Sequence, residues 1–178
     1  MSSPEPQPAA HFIKIAESLE SRLATLLTSP QYGRGPGRTP PPRTHGVYLF
    51  SRAAGGGQEH LYVGRVGLTE RARASGSGHS NFRTRLAGHT RPSSGHNQAT
   101  FAFRLAIEEV GTSMSDLPAT RAERAVHPEF EAVFLAKKDL VTSFQFRVVE
   151  IDDDFESYIF EPYAAFRLGT PYNSWATS

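Results

Sequence analysis

Tyr48, Tyr62, Arg85 and His89 are the side chains whose types and spacing point to chemistry on a negatively charged group. Tyr48 lies in Gly46-Val47-Tyr48-Leu49-Phe50 and Tyr62 in Leu61-Tyr62-Val63-Gly64-Arg65. Two short apolar, β-branched runs of this kind read as strands. The Ala53-Ala54-Gly55-Gly56-Gly57 connection between them suits a hairpin. Pairing would put the two phenols on neighbouring strands, where cross-strand side chains lie about 5 Å apart. Arg85 and His89 sit four residues apart in Asn81-Phe82-Arg83-Thr84-Arg85-Leu86-Ala87-Gly88-His89. That stretch predicts a short helix capped by Asn81. Phe82 and Leu86 would face the core, with Arg85 and His89 together on another face. An arginine offers forked donors to an oxyanion, and a histidine exchanges protons near neutral pH.

The elements around these residues follow from hydrophobic periodicity. Residues 11–27 read as an amphipathic helix, stopped by Thr28-Ser29-Pro30. Residues 32–43 are rich in Pro, Gly and Arg and read as an extended arm, either a spacer or, through Arg34, Arg38 and Arg43, a phosphate contact. Residues 67–80 form a polar loop long enough to suggest use, carrying Arg71, Arg73 and His79. Residues 96–110 predict a helix, with a strand as the alternative. A longer helix over 119–140 is interrupted near Pro128. The alternating run 144–151 predicts a third strand. A last helix capped by Asp154 runs to Arg167, with Pro162 expected to kink it or mark its true start. Residues 169–175 read as a turn followed by an anchor. The fold class is therefore α/β (α+β), a small three-stranded, largely antiparallel sheet flanked by helices. Residues 1–43 make an N-terminal helix and arm, and 44–178 the remaining domain, with long connecting segments at about 66–80 and 106–142; the resemblance drawn below implies that these are insertions in a catalytic domain.

Charge is unevenly spread. Residues 31–104 hold eleven arginines against Glu59 and Glu70, whereas 111–178 hold six basic and eleven acidic residues. A basic half fits a polyanionic partner, and nucleic acid is the usual one. The chain has no cysteine, which excludes disulfides and thiolate metal sites. No run approaches the roughly 18 apolar residues of a membrane span. Residues 1–10 have neither a basic start nor an apolar core, so a cytoplasmic protein is expected. No two of the seven histidines lie three to five residues apart, which disfavours a zinc helix. A Gly-x-Ser-x-Gly elbow and a phosphate loop are both missing.

In order, the motifs resemble the GIY-YIG nuclease family. Gly46-Val47-Tyr48 and Tyr62-Val63-Gly64 stand for its two named motifs. Arg85 and His89 stand for its helical arginine and the group four residues later. Glu161 on a late helix and Asn173 about a dozen residues beyond match its last two elements. The resemblance covers 46–173, and the long segment between Gly64 and Arg85 is similar to the restriction-endonuclease branch. It implies a metal-dependent DNA endonuclease hydrolysing phosphodiesters, stand-alone and restriction-like, with Mg2+ or Mn2+ held by Glu161 as its cofactor. It also implies that Arg85 binds the phosphate. Tyr62 acts as base and Tyr48 positions water or phosphate, an assignment that the residues leave open between the two. A phenol titrates near pH 10, so a base role requires positive charge to lower that value; Arg65, three residues after Tyr62, fits the place of a family lysine. His89 bonds Tyr48 or relays a proton, and Asn173 ties the chain near Glu161. Arg71, Arg73, His79, Arg83, Arg91 and His96 are the expected nucleic-acid contacts. The competing readings are a nucleic-acid-binding module without turnover, or a repair, mobile-element or toxin nuclease of the same fold. Cutting both strands of a symmetric site suits a homodimer, which the N-terminal helix could serve.

Overall fold

The computed structural model describes residues 8–34, 36–67, 81–111 and 118–173. A three-stranded antiparallel sheet is flanked by helices, in strand order β2-β1-β3. In chain order the elements are α1 (Pro8–Thr28), β1 (Gly46–Ala54), β2 (Gly57–Val66), α2 (Phe82–Thr90), α3 (Thr100–Gly111), α4 (Arg121–Ala125), α5 (Pro128–Ser143), β3 (Gln145–Glu150) and α6 (Asp154–Leu168). Among the described residues no helix is long and apolar enough to cross a membrane.

The central strand β1 is buried on both faces, and its alternation divides the core in two. Tyr48 and Phe50 point into a layer with Phe82, Phe101, Phe130, Phe134 and Phe146. Val47 and Leu49 point the other way, to Leu23 and Leu26 of α1, Val63 of β2 and Phe160 of α6. Each fully buried aromatic of the first layer contributes about 1.5–3 kcal/mol by leaving water. The amphipathic stripe of α1 is spent on this core through Ile15, Leu23 and Leu26, and Arg22 pairs with Glu156 of α6 at 2.7 Å.

Both outer strands are covered by short pieces of chain, which blunts their unpaired edges. Tyr32 bridges to Phe146 on β3, its amide donating to the Phe146 carbonyl at 2.7 Å. On β2 the Tyr172 amide donates to Leu61 at 3.2 Å. Asn173 Oδ1 accepts from the Val63 amide, and its Nδ2 donates to the Val63 carbonyl, both at 2.7 Å.

Several local details differ from the sequence expectation. The strands extend to Ala54 and Gly57, leaving only Gly55 and Gly56 between them at φ 49° and 96°. Two positive-φ residues make the tight turn whose twist matches a hairpin. The helix expected over 96–110 begins at Thr100, and the strand alternative fails because Phe101, Ala102, Phe103, Leu105 and Ala106 are all buried. A run buried nearly all round has no alternating pattern for a strand to use. Asp153, not Asp154, caps α6, its side chain accepting from the Phe155 and Glu156 amides. Pro128 opens α5 as its first residue, where a missing amide is harmless. Pro162 lies inside α6 without marking a start. Its lost hydrogen bond, about 3 kcal/mol, is opposed by burial of Phe160, Ala164 and Ala165 on either side.

Gly46 starts the central strand at φ 135°, and a Cβ there would stand 2.3 Å from the Val149 carbonyl oxygen. Gly46→Ala should therefore lower unfolding stability by about 2–4 kcal/mol, from strain and overlap together. Urea denaturation of the variant measures this, and a loss under 0.5 kcal/mol, the size of an ordinary surface change, would contradict it.

Candidate functional site

The site begins with an absence of side chain. Tyr48 of β1 pairs with Gly64 of β2, and the Tyr48 ring lies across that glycine. A Cβ on Gly64 would come within 2.3 Å of the Tyr48 hydroxyl and 2.4 Å of Cζ. Glycine at 64 is thus what lets a phenol on the middle strand reach over its neighbour.

At the end of that reach, Arg85 Nε donates to the Tyr48 hydroxyl at 3.0 Å. His89 Nε2 lies 2.9 Å from the same oxygen. Arg85 and His89 are one turn apart on α2, so the helix presents both to one phenol. The capping box of Asn81 and Thr84 fixes where that helix begins. Arg85 can only donate, so the Tyr48 proton is directed to His89 Nε2, which leaves His89 neutral with its proton on Nδ1. Tyr48 and His89 are both 0% exposed. Burial drives the His89 pKa well below its ordinary value, and the nearby Arg85 charge lowers it further. Burial raises the Tyr48 pKa, outweighing Arg85. The resting pair is therefore neutral phenol and neutral imidazole, and the hydroxyl aims the guanidinium.

Tyr62 lies diagonal to Tyr48, opposite Phe50. Its ring stacks on Phe101, 5.1 Å between centroids and 10° between planes, and lies 6.3 Å from the Tyr48 ring. Burial raises its pKa far above the ordinary phenol, with Tyr48 and Glu161 adding to the rise and Arg85 opposing it. The lowering by positive charge that a base role requires is absent here, since desolvation exceeds what Arg85 supplies.

Glu161 approaches from α6. Its Oε2 is 3.0 Å from Arg65 Nε, the carboxylate side chain is 16% exposed, and Arg65 also lies over the Tyr158 ring at 4.2 Å. Burial raises the Glu161 pKa despite the lowering influence of Arg65 and Arg85. The same carboxylate acts electrostatically on Tyr48 and Tyr62. Asn173 reaches β2 one residue from Tyr62 and Gly64, with its Oδ1 further held by the Thr170 hydroxyl at 2.8 Å. Tyr48, Tyr62, Arg65, Arg85, His89, Glu161 and Asn173 are therefore brought to one region of β2.

No group of three or more His, Cys, Asp or Glu side chains suited to a metal occurs among the described residues. A single carboxylate nevertheless fits a hydrated magnesium ion, which is commonly held by one or two carboxylates with substrate phosphates completing the shell. Burial leaves the Glu161 charge under-compensated by the two arginines, a balance that a divalent cation would complete.

The expected nucleic-acid contacts separate. Arg71, Arg73 and His79 lie outside the described residues. Arg83 and Arg91 are exposed and line a cleft against residues 33–43. His96 is instead packed among Phe103, Phe130 and Phe134, with Nε2 2.9 Å from Glu131 Oε2. Its ring is 7% exposed, so it belongs to the packing of α3 on α5. Sequence reasoning missed the Gln98 carbonyl, which accepts from Arg85 Nη1 at 3.5 Å, and the Tyr158 ring beneath Arg65. A backbone carbonyl leaves no signal in residue type, and Tyr158 shows itself only by recurring three residues before Glu161 on the last helix.

The buried neutral His89 gives the protein an acid-sensitive element. Below about pH 6.5 the unfolded chain binds a proton that the folded His89 refuses, so stability falls as pH drops through that value. The slope from one such group is at most about 1.4 kcal/mol per pH unit. His89→Gln should lose less stability than the parent between pH 7 and pH 5 in urea titrations. Equal losses would show that His89 is protonated in the folded state.

Comparison with protein-family models, with curated proteins and with solved structures gives no match.

Proposed function

We propose that this chain is a metal-dependent DNA endonuclease of the GIY-YIG type. The observation that carries the reading is the Arg85 guanidinium, fixed by Tyr48 at 3.0 Å in the electrostatic neighbourhood of the Glu161 carboxylate. An anchored cation beside an under-compensated carboxylate is what phosphodiester hydrolysis calls for: one group for the phosphate charge, one for a metal.

In this mechanism Arg85 donates to a non-bridging oxygen of the scissile phosphate. Its orientation is set by Tyr48 and Gln98, so little reorganisation is needed as charge develops. Glu161 would hold the magnesium ion, which when bound stabilises charge on the phosphate and the leaving oxygen and acidifies water. Arg65 keeps the carboxylate oriented toward β2. Tyr62, holding its proton at neutral pH, donates a hydrogen bond to the attacking water or to a phosphate oxygen and positions it. Asn173 holds β2 and the end of α6 together, so the phenol and carboxylate keep their separation. Two-strand cutting of a symmetric site takes two copies of the chain.

Supercoiled plasmid incubated with and without magnesium tests the reading. Metal-dependent nicking or linearisation is expected, and Arg85→Ala and Glu161→Gln should each reduce it at least about a hundredfold, the scale for removing a group that stabilises transition-state charge. Unaltered cutting by Glu161→Gln would sink the metal assignment. Salt-sensitive binding without cutting would favour the module without turnover.

Glu161→Gln carries a second expectation. A folded pKa above the unfolded value means the ionised carboxylate opposes folding, with no penalty below about pH 4.5 and a growing one above it. The variant should therefore melt higher than the parent at pH 7, and the gain should vanish near pH 4. A lower melting temperature at pH 7 would show that the Arg65 pair outweighs desolvation.

A further inference from the structure

Away from Tyr48 and Glu161, residues 33–43 fold back against α2 and enclose a cleft of about 660 Å³. Arg34, Arg38, Arg43, Arg83 and Arg91 line it, with Pro41 in its wall and no acidic residue. All five arginines are exposed. Among the described residues none of them forms an ion pair with a carboxylate. Five like charges around one concavity repel one another, and the compact state keeps them there without a counter-charge of its own.

The cleft is held open by its own contacts. Arg34 Nη1 donates to the Thr90 hydroxyl at 3.0 Å and Arg83 Nε to the Pro41 carbonyl at 3.3 Å, tying both sides together. The Gly33 amide donates to the Thr39 carbonyl at 2.9 Å, closing the loop. A Cβ on Gly33 would stand 3.0 Å from Arg38 Cδ, so glycine there leaves room for the Arg38 stem. Among the described residues Arg38, Arg43 and Arg91 have no such bonds to the fold, which leaves their donors for a ligand.

We propose that this cleft is a positioning subsite for the phosphate backbone of DNA, gripping the duplex on the other side of α2 from the phosphate that Arg85 holds. The proposal rests on the nuclease reading for the identity of that neighbouring phosphate. Arg83 and Arg85 stand on α2, nine residues and about 13 Å long at 1.5 Å per residue, and Arg91 is its C-cap. Arg83 and Arg85, two residues apart, leave α2 on different faces, so a duplex that crosses the helix meets Arg85 on one side and the cleft on the other. Guanidinium forks suit phosphate oxygens, and contacts to backbone alone set register without reading bases.

The test is binding of a labelled 20-base-pair duplex in EDTA across a series of salt concentrations, where no cutting intervenes. Arg38→Gln, Arg43→Gln and Arg91→Gln together should reduce the slope of log K against log salt by about 2.7, and each alone by about 0.9. The matching triple lysine variant should restore the slope, which separates lost charge from lost folding. Glu161→Gln should leave the slope unchanged. A triple glutamine variant with the parent's slope overturns the subsite. So does inorganic tripolyphosphate that binds the parent tightly, is lost in the triple variant and leaves duplex binding untouched, because the cleft then serves free polyphosphate. A reduced slope in a protein that cuts no plasmid keeps the cleft and removes the nuclease reading. Cutting with an unchanged slope does the reverse.

Discussion

The Tyr48 hydroxyl is bound on two sides, by Arg85 and His89. It sits on the middle strand, under complete burial, and everything in the candidate site is placed relative to it. The geometry works only because the residue opposite has no side chain. Gly64 is thus a spatial requirement of the phenol, and Gly46 is a requirement of the backbone where the same strand meets β3. Two glycines and two tyrosines that look like separate short motifs are one packing solution. The strand pair supplies the phenol, the missing Cβ supplies its path, and α2 supplies the cation that it aims.

Desolvation dominates the electrostatics of this region. Arg85 lowers the proton affinity of both tyrosines and of Glu161, yet all three end above their ordinary values. The same burial strips charge from His89. A site with this balance is built to receive charge from outside. On the proposed function, an incoming phosphate would compensate arginine and an incoming cation the carboxylate. Tyr48 and His89, with no exposure, act through what they hold.

Much of the frame was legible in the sequence because period-two and period-3.6 patterns report burial directly. The hairpin, the Arg85–His89 helix, the third strand and the late helix all follow from that. Finer points depended on competition that residue type does not reveal. Asp153 and Asp154 are chemically alike, and only backbone geometry chooses the cap. Pro162 would interrupt an isolated helix but is carried by the buried residues around it. His96 reads as a polar group until three phenylalanines from distant segments close on it. The tyrosines were legible as neighbours, whereas their ionisation follows from how completely Phe101 covers Tyr62 and Phe50, His89 and Phe146 cover Tyr48. The fold-back of residues 33–43 was the least legible feature. An extended Pro-Arg stretch has no periodicity, and its path is set by hydrogen bonds to Thr90 and Arg83.

The Asn173 side chain, which imitates a strand by satisfying both backbone groups of Val63, joins residues 110 positions apart. Arg22 and Glu156 are joined across 134 positions. Closures of that span are entropically expensive and come slowly, since loop entropy is lost before the contact rewards it. The edge of β2 therefore stays open, with its backbone unpaired beside Tyr62, until the far end of α6 arrives. Assembly of the phenol, the guanidinium and the carboxylate is in this sense a record of folding itself. On the proposed function, a chain that has paired its strands but not docked its last helix has the cation and lacks the acid, so it would hold a polyanion before it could act on one.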